Sequence, residues 1–304
     1  MGKSVHIPVM LQETLAALGA EGGGKFLDCT LGGAGHARAI LGANASNTLY
    51  AIDRDPTAIE RAREEFSEEI AAKRMTVVQG AFSDLAHLFT NESFSGILAD
   101  LGTSVDQLQG DRGFSFNDKG PLDMRMDPTA ARSAKQVVNE TSERELYAIL
   151  KRGGVGLEAR AVVKAIVAAR PLLTTADLAE SVRKAALGKT NKGFDPATVT
   201  FQAIRIEVNQ ELDEIDALLE TVKKLLRSKG RLVVISFHSL EDKIVAKKMR
   251  EWSGADTEPA NWPGRHTVQP FGKLLTKKAL FPTEKEVVEN SKSRSARLRI
   301  FERY

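Results

Sequence analysis

Lys25-Phe26-Leu27-Asp28-Cys29-Thr30-Leu31-Gly32-Gly33-Ala34-Gly35-His36 decides how the rest of the chain is read. A short apolar run ends in an acid, Asp28, and passes straight into a glycine-rich turn. A helix-like segment follows from Ala37. An α/β domain opens a nucleotide-type cofactor site in this way, because small residues let backbone approach the ligand. A second buried-type strand, Leu49-Tyr50-Ala51-Ile52-Asp53, ends in another acid eighteen residues after Gly35. An acid at that place bonds the hydroxyls of an adenosine ribose, which suits both NAD and S-adenosylmethionine. A dinucleotide fingerprint needs Gly-x-Gly-x-x-Gly, and counting from Gly33 and Gly35 the third position is Arg38. Without that glycine the close packing beneath a pyrophosphate is lost, which favours the sulfonium cofactor, since it has no pyrophosphate.

The 304 residues allow one large domain or two ordinary ones. Hydrophobic content of 42% and charged content of 27% are those of a soluble globular protein. No run reaches the length of a membrane span, and residues 1–20 lack the basic start and apolar core of a signal peptide. A cytoplasmic location with no membrane partner is therefore expected. The single cysteine, Cys29, excludes an internal disulfide and a multi-cysteine metal site. It reads either as a cofactor neighbour or as a small buried residue at a strand end. The five histidines show no pair at ligand spacing, so no metal is expected.

Net charge is +3, unevenly spread. Residues 265–304 hold ten basic residues against four acids, a local +6, which leaves the remainder slightly acidic. Lys292, Arg294, Arg297 and Arg299 are close enough in sequence to form one basic surface. Such an excess is either the footprint of a polyanion-binding face or an ordinary solvated surface.

Strand-like runs recur at Lys25–Thr30, Thr48–Asp53, Met75–Gln79, Gly96–Leu101 and Arg231–Ser236, with helices between them. Asp55-Pro56 reads as the N-cap and first-turn proline of a helix over Thr57–Phe66. This alternation predicts a parallel, doubly wound α/β sheet. After the fourth strand the spacing breaks. Roughly 130 residues separate Leu101 from Arg231, far more than one crossover needs, so a further segment has been inserted. That segment reads as helical. Ser142-Glu143-Arg144-Glu145 is a capping box, and further helices are expected over Glu158–Ala169 and from Thr174 to Gly188. Ala203–Leu226 shows one long apolar stripe, expected to be a single sheet-covering helix leading to the fifth strand.

Ligands in such sheets sit outside the carboxyl ends of the strands. Asp100, followed by Leu101-Gly102-Thr103-Ser104, stands at the fourth strand's end, where amino-group methyltransferases place their transfer site. The alternative for Asp100 is a plain strand-end cap. Phe82, after the third strand, stands where an adenine ring would be flanked, or else belongs to the core. Gly113-Phe114-Ser115-Phe116 and Gly120-Pro121-Leu122-Asp123-Met124-Arg125-Met126-Asp127 form a loop with exposed-looking aromatics and methionines beside charges. It could stack a splayed base, or pack against the inserted helices. Ser236-Phe237-His238-Ser239-Leu240-Glu241-Asp242 lacks the Gly-x-Ser-x-Gly elbow of a hydrolase. Ser239 with Asp242 instead reads as a capping pair for the next helix.

Together these stretches resemble one family, the bacterial-type ribosomal small-subunit RNA methyltransferases H. Its members methylate the N4 of a cytosine in the decoding region of 16S ribosomal RNA. The resemblance runs from His6-Ile7-Pro8-Val9-Met10-Leu11 to Ser293-Arg294-Ser295-Ala296-Arg297-Leu298-Arg299. It includes the glycine turn through His36, Ala51-Ile52-Asp53-Arg54-Asp55-Pro56, Arg112–Phe116, Gly120–Pro128, Pro196-Ala197-Thr198, Thr200–Ile206 and Ile235–Asp242. It implies a class I, Rossmann-like methyltransferase domain dependent on S-adenosylmethionine. Residues 1–109 and 197–304 would be its two parts, with 110–196 as an inserted helical substrate-recognition domain. By resemblance the cofactor contacts fall on Ala34, Gly35, His36, Asp53, Phe82, Asp100 and Gln107, and Asp100 is the catalytic candidate.

Two departures stand out. The family's usual Asp-Leu-Gly-Val-Ser-Ser-Pro-Gln-Leu is Asp100-Leu101-Gly102-Thr103-Ser104-Val105-Asp106-Gln107-Leu108 here, and Val199 stands where the family often has Arg. The implied partner is 16S ribosomal RNA in the small subunit, and the sequence leaves a homodimer open. Two other functions compete. One is a non-catalytic RNA-binding assembly factor on a methyltransferase fold. The other is an NAD-dependent dehydrogenase, which the missing third glycine disfavours.

Overall fold

The computed structural model describes residues 8–104, 107, 112–116, 119–186, 195–255 and 269–304. The chain forms two compact units, Met1–Gly102 with Asp213–Tyr304, and Thr103–Leu212.

The first unit is built on one Rossmann-like sheet of seven strands. These are β1 (Lys25–Asp28), β2 (Thr48–Asp53), β3 (Met75–Gln79), β4 (Phe94–Asp100), β5 (Leu226–Ser236), β6 (Gly272–Leu274) and β7 (Arg297–Arg303). Their order is β3-β2-β1-β4-β5-β7-β6, with β1 to β5 parallel and β7 antiparallel to both β5 and β6. Among the described residues, the α-helices before the insertion are α1 (Leu11–Leu18), α2 (Gly35–Ala43), α3 (Pro56–Glu65), α4 (Ser67–Ala71) and α5 (Leu85–Leu88).

Strands covered on both sides read as continuous apolar runs, because successive side chains enter opposite cores. Phe26, Leu49, Ala51, Leu98, Val233 and Ile300 enter one core together with Leu18 and Ile40. Leu27, Ile52, Ile97, Leu232, Val234 and Phe301 enter the other. Register sets the working end of the sheet. Asp28 lies beside Ala51 on one side and Leu98 on the other, so Asp53 and Asp100 stand two residues beyond it at the same carboxyl edge.

The second unit is helical, with α6 (Ala134–Glu140), α7 (Glu143–Arg152), α8 (Ala159–Ala168), α9 (Thr175–Ala186) and α10 (Pro196–Asn209). Leu146, Leu150, Val162, Ile166, Leu178, Val182, Phe201 and Ile204 make its core. The expected cap at Ser142 is present, its hydroxyl accepting the Glu145 N–H at 3.2 Å.

Four expectations change. The inserted unit runs over 103–212 rather than 110–196, because Phe201, Ala203, Ile204 and Val208 are buried in its core. The apolar stripe over 203–226 is two helices. Gln210 takes a left-handed conformation (φ 51°) that ends α10, and α11 (Glu211–Leu225) starts immediately after it. The pair that caps α12 (Ser239–Trp252) is His238 with Glu241, whose carboxylate accepts the N–H groups of Phe237 at 2.8 Å and His238 at 3.2 Å. Finally, part of the basic tail joins the sheet. Besides α13 (Glu284–Glu289) it contributes β6 and β7. Among the described residues no helix is long and apolar enough to cross a membrane.

Candidate active site

At the carboxyl edge of the sheet, the turn from β1 to α2 is held by its neighbours' acids. Asp53, half-buried at the end of β2, accepts the Gly32 N–H through Oδ2 at 2.8 Å and the Asp55 N–H through Oδ1 at 2.9 Å. From α3, Arg61 donates to the Gly32 carbonyl at 2.7 Å. Ala34 adopts the left-handed region (φ 59°) just before α2, so the first N–H groups of that helix face the turn. Gly35 permits a close approach there: a Cβ on it would stand 2.4 Å from Pro8 Cγ. Helix N-termini with free N–H groups favour anionic or electron-rich ligand atoms.

Behind the turn lie three titratable groups. Asp28 is 1% exposed; its Oδ1 accepts the Thr30 N–H at 3.0 Å, an Asx turn. The Thr30 hydroxyl accepts the Asp100 N–H at 2.7 Å and so ties the ends of β1 and β4 together. His36, 7% exposed on the first turn of α2, holds Nε2 3.6 Å from Asp100 Oδ2, an ion-pair distance beyond a hydrogen bond. Burial pushes the Asp28 carboxyl up to about 6, opposed by His36 and reinforced by the charges of Asp100 and Asp53. Burial alone would lower His36, but Asp100, Asp28 and Glu286 outweigh it and the imidazole is raised. Asp53 is raised by burial, against the pull of the Asp55 and Gly32 N–H groups. Burial also raises the Cys29 thiol well above its ordinary value, which leaves it protonated and unsuited to attack. It is the buried strand-end residue of the two readings.

Phe82 opens a short 3₁₀ turn after β3 and is half-buried against the core. The turn is pinned on both sides. Asp84 accepts the Ala81 N–H at 2.8 Å, and Glu214 accepts from the Ser83 N–H and hydroxyl, each at 3.0 Å. Ala34, Gly35, His36, Asp53, Phe82 and Asp100 thus share the carboxyl edge of the first unit. Gln107 belongs to the second unit, where it is buried and its amide oxygen accepts the Ser104 N–H at 3.0 Å.

Several buried polar atoms at this edge have no hydrogen-bond partner among the described residues: Asp28 Oδ2, Asp100 Oδ1 and both ring nitrogens of His36. Unsatisfied buried polar atoms are costly and collect where a ligand completes them. The arrangement fits a nucleoside cofactor with a polar amino-acid end. Thr30 was missing from the sequence reading; its signal was the Asp-x-Thr spacing of an Asx turn.

In the second unit the loop with exposed-looking aromatics is mostly core. Phe114, Leu122, Met124 and Met126 are buried, and Phe116 packs edge-on to Phe201 at 5.3 Å. Asn209 fastens this loop, donating to the Met124 carbonyl at 2.7 Å and accepting the Met126 N–H at 2.8 Å. Of the four tail cations read as one basic surface, two share one carboxylate. Arg299 makes a two-pronged bond to Asp242 at 2.6 and 3.1 Å, and Arg297 lies 3.6 Å from the same carboxylate.

Comparison with known proteins agrees with this geometry. The profile of the MraW methylase family matches residues 3–304. The chain is 43% identical to the ribosomal RNA small subunit methyltransferase H of Paramagnetospirillum magneticum, over 98% of this chain and 96% of that one. It is 42% identical to the protein of the same name from Acidobacterium capsulatum, over the whole of both chains. It is 44% identical to that of Hydrogenovibrio crunogenus, over 99% and 98%. A dehydrogenase is not compatible with this kinship, and the chain belongs to the MraW methylase family of S-adenosylmethionine-dependent methyltransferases.

Proposed function

We propose that this chain methylates the N4 amine of a cytosine in 16S ribosomal RNA, acting in the cytoplasm on the small subunit. The observation that carries this reading is the convergence of Asp28, Asp53 and Asp100 with the glycine turn at one edge of the sheet. The substrate class is supported by relatives of near-equal length, which bear the name ribosomal RNA small subunit methyltransferase H.

The cofactor, when bound, supplies an electrophilic sulfonium methyl group. The chain's own residues do the rest. Asp53, whose two oxygens each accept a single backbone N–H, retains lone pairs for the ribose hydroxyls. Phe82 offers an apolar face to the adenine. Ala34, Gly35 and His36 present helix-start backbone to the amino-acid end. Gln107 enters this reading by resemblance alone. A cytosine amine is a weak nucleophile, because its lone pair is delocalised into the ring. Acceptors for its hydrogens help, since they favour the charge that develops at nitrogen. Asp100 Oδ1, buried and without a partner among the described residues, is such an acceptor.

Two measurements test the reading. Calorimetric titration of the full chain is expected to give heat with S-adenosylmethionine and none with NAD. Incubation with a labelled methyl donor and undermethylated small subunits is expected to label the RNA. Binding without transfer would instead describe an assembly factor that keeps the fold.

A further inference from the structure

Methyl transfer to a base in RNA needs more than an acceptor for the amine. The base must leave its stack, and enzymes that modify bases hold the extruded ring against an aromatic or apolar face. Among the described residues, two aromatic side chains lie within three residues of the carboxyl ends of the parallel strands. They are Phe82 after β3 and Phe237 after β5. The reading above gives Phe82 to the adenine and leaves Phe237 without a task.

The place of Phe237 is well defined. Asp100 pairs with Ile235, and the Leu101 N–H donates to the Ile235 carbonyl at 2.9 Å. Phe237, two residues further on, therefore stands level with Gly102. Side chains alternate across a sheet, which puts Phe237 on the face that carries Ile235. There it packs half-buried against the same core. Ring and loop are in contact: a Cβ on Gly102 would stand 3.2 Å from Phe237 Cδ2 and 3.8 Å from Cε2. Gly102, at φ 107°, thus lets one edge of the ring come up to the backbone beyond Asp100. Two residues of chain, at most about 7 Å, separate that backbone from the acid. The turn that carries the ring is braced as well. Glu241, 1% exposed, accepts the N–H groups of Phe237 at 2.8 Å and His238 at 3.2 Å. A side chain on a braced turn loses little freedom when a ligand settles on it.

We propose that Phe237 is the platform on which the target base lies during transfer, with Asp100 beside it accepting from the base's amine. The proposal rests on the function and on the role of Asp100 given above, and it adds the group that holds the substrate ring. Every base has a π-face, so this contact supplies affinity and position rather than selectivity. The choice of the reacting atom falls to Asp100.

The test uses the full chain, S-adenosylmethionine and undermethylated small subunits. Phe237→Leu keeps an apolar side chain on the core and removes the aromatic face. Loss of one stacking contact is expected to lower kcat/KM for the subunits roughly 10- to 100-fold. S-adenosylmethionine affinity, measured by calorimetry, should match the parent. Phe237→Tyr keeps the ring and should retain most of the activity. A residue that only braced the Gly102 turn would show no such dependence on the ring. Phe237→Trp supplies a direct signal. Against the background of the parent's two tryptophans, the introduced indole should be quenched when undermethylated subunits are added.

Parent-like kcat/KM in Phe237→Leu overturns the proposal, and so does an equal loss in Phe237→Tyr. A fall in S-adenosylmethionine affinity that accounts for the loss overturns it too, because Phe237 would then belong to the cofactor site. Should Phe237→Leu fail to fold, the other two variants decide. An inactive Phe237→Tyr, or an indole in Phe237→Trp that adds no quenching, overturns the proposal. A parent that transfers no methyl group overturns the underlying function and this proposal with it, an outcome visible before any variant is made.

Discussion

Asp53 Oδ2 accepts the backbone N–H of Gly32 at 2.8 Å, which fastens the glycine turn after β1 to the end of β2. The acid therefore shapes the loop that faces the cofactor as well as offering its own lone pairs. Asp53→Ala removes both. Loss of a charged hydrogen-bond partner costs about 1.5–3 kcal/mol, so S-adenosylmethionine affinity should fall roughly tenfold or more. Calorimetry on the folded variant checks this, and unchanged affinity would remove Asp53 from the site.

Asp28 should also leave a signature in stability. Its carboxyl titrates near 6 in the fold, against 3.8 ordinarily, so the folded state binds the proton more tightly. Stability from this group is therefore greatest below pH 4 and is lost as pH rises through 6. The loss amounts to about 3 kcal/mol at most. Asp28→Asn abolishes that slope and should be the more stable protein at pH 7. Urea unfolding of parent and variant at several pH values between 4 and 7 measures it. Parallel curves would contradict the burial of an ionised acid at this edge.

Arg299 belongs to the fold. Its two-pronged bond to Asp242 is mostly shielded, with side-chain exposures of 16% and 14%. Arg299→Ala leaves Asp242 with the more distant Arg297 and should destabilise the protein by about 2–3 kcal/mol. Chemical denaturation reads this directly. A variant of parent stability with weakened, less salt-sensitive RNA binding would return Arg299 to the nucleic-acid surface.

Asn209 holds the 120–127 loop of the second unit by side-chain bonds to the backbone of Met124 and Met126, and it is 4% exposed. Asn209→Ala leaves a buried carbonyl and a buried N–H without partners, a loss of about 2–4 kcal/mol. Thermal unfolding should show it, while S-adenosylmethionine binding should be unchanged.

The sheet was legible because β1, β2 and β4 are short apolar runs that each end in an acid, and buried parallel strands have that form. Asp53 and Asp100 could be read as site residues for the same reason. β7 was hidden by its own charges. Arg297 and Arg299 alternate with the buried Leu298 and Ile300, a period of two, but a run of arginines draws the eye to solvent. The break at Gln210 left no mark in the apolar stripe, because α10 and α11 carry similar periodicity on either side of a single left-handed residue. The loop at Met124 and Met126 is held by Asn209, some eighty residues away in sequence, and no local pattern reports such a contact. The local Asx turn of Thr30 was marked by its spacing from Asp28, but its tertiary bond to the Asp100 N–H was not.

The most direct measurement is nucleoside analysis of small-subunit RNA after reaction with the full chain and a labelled methyl donor. The account predicts one labelled product, N4-methylcytidine, formed by the parent and lost in Asp100→Ala at saturating cofactor. Label on another atom or base, or full transfer by Asp100→Ala, would contradict it.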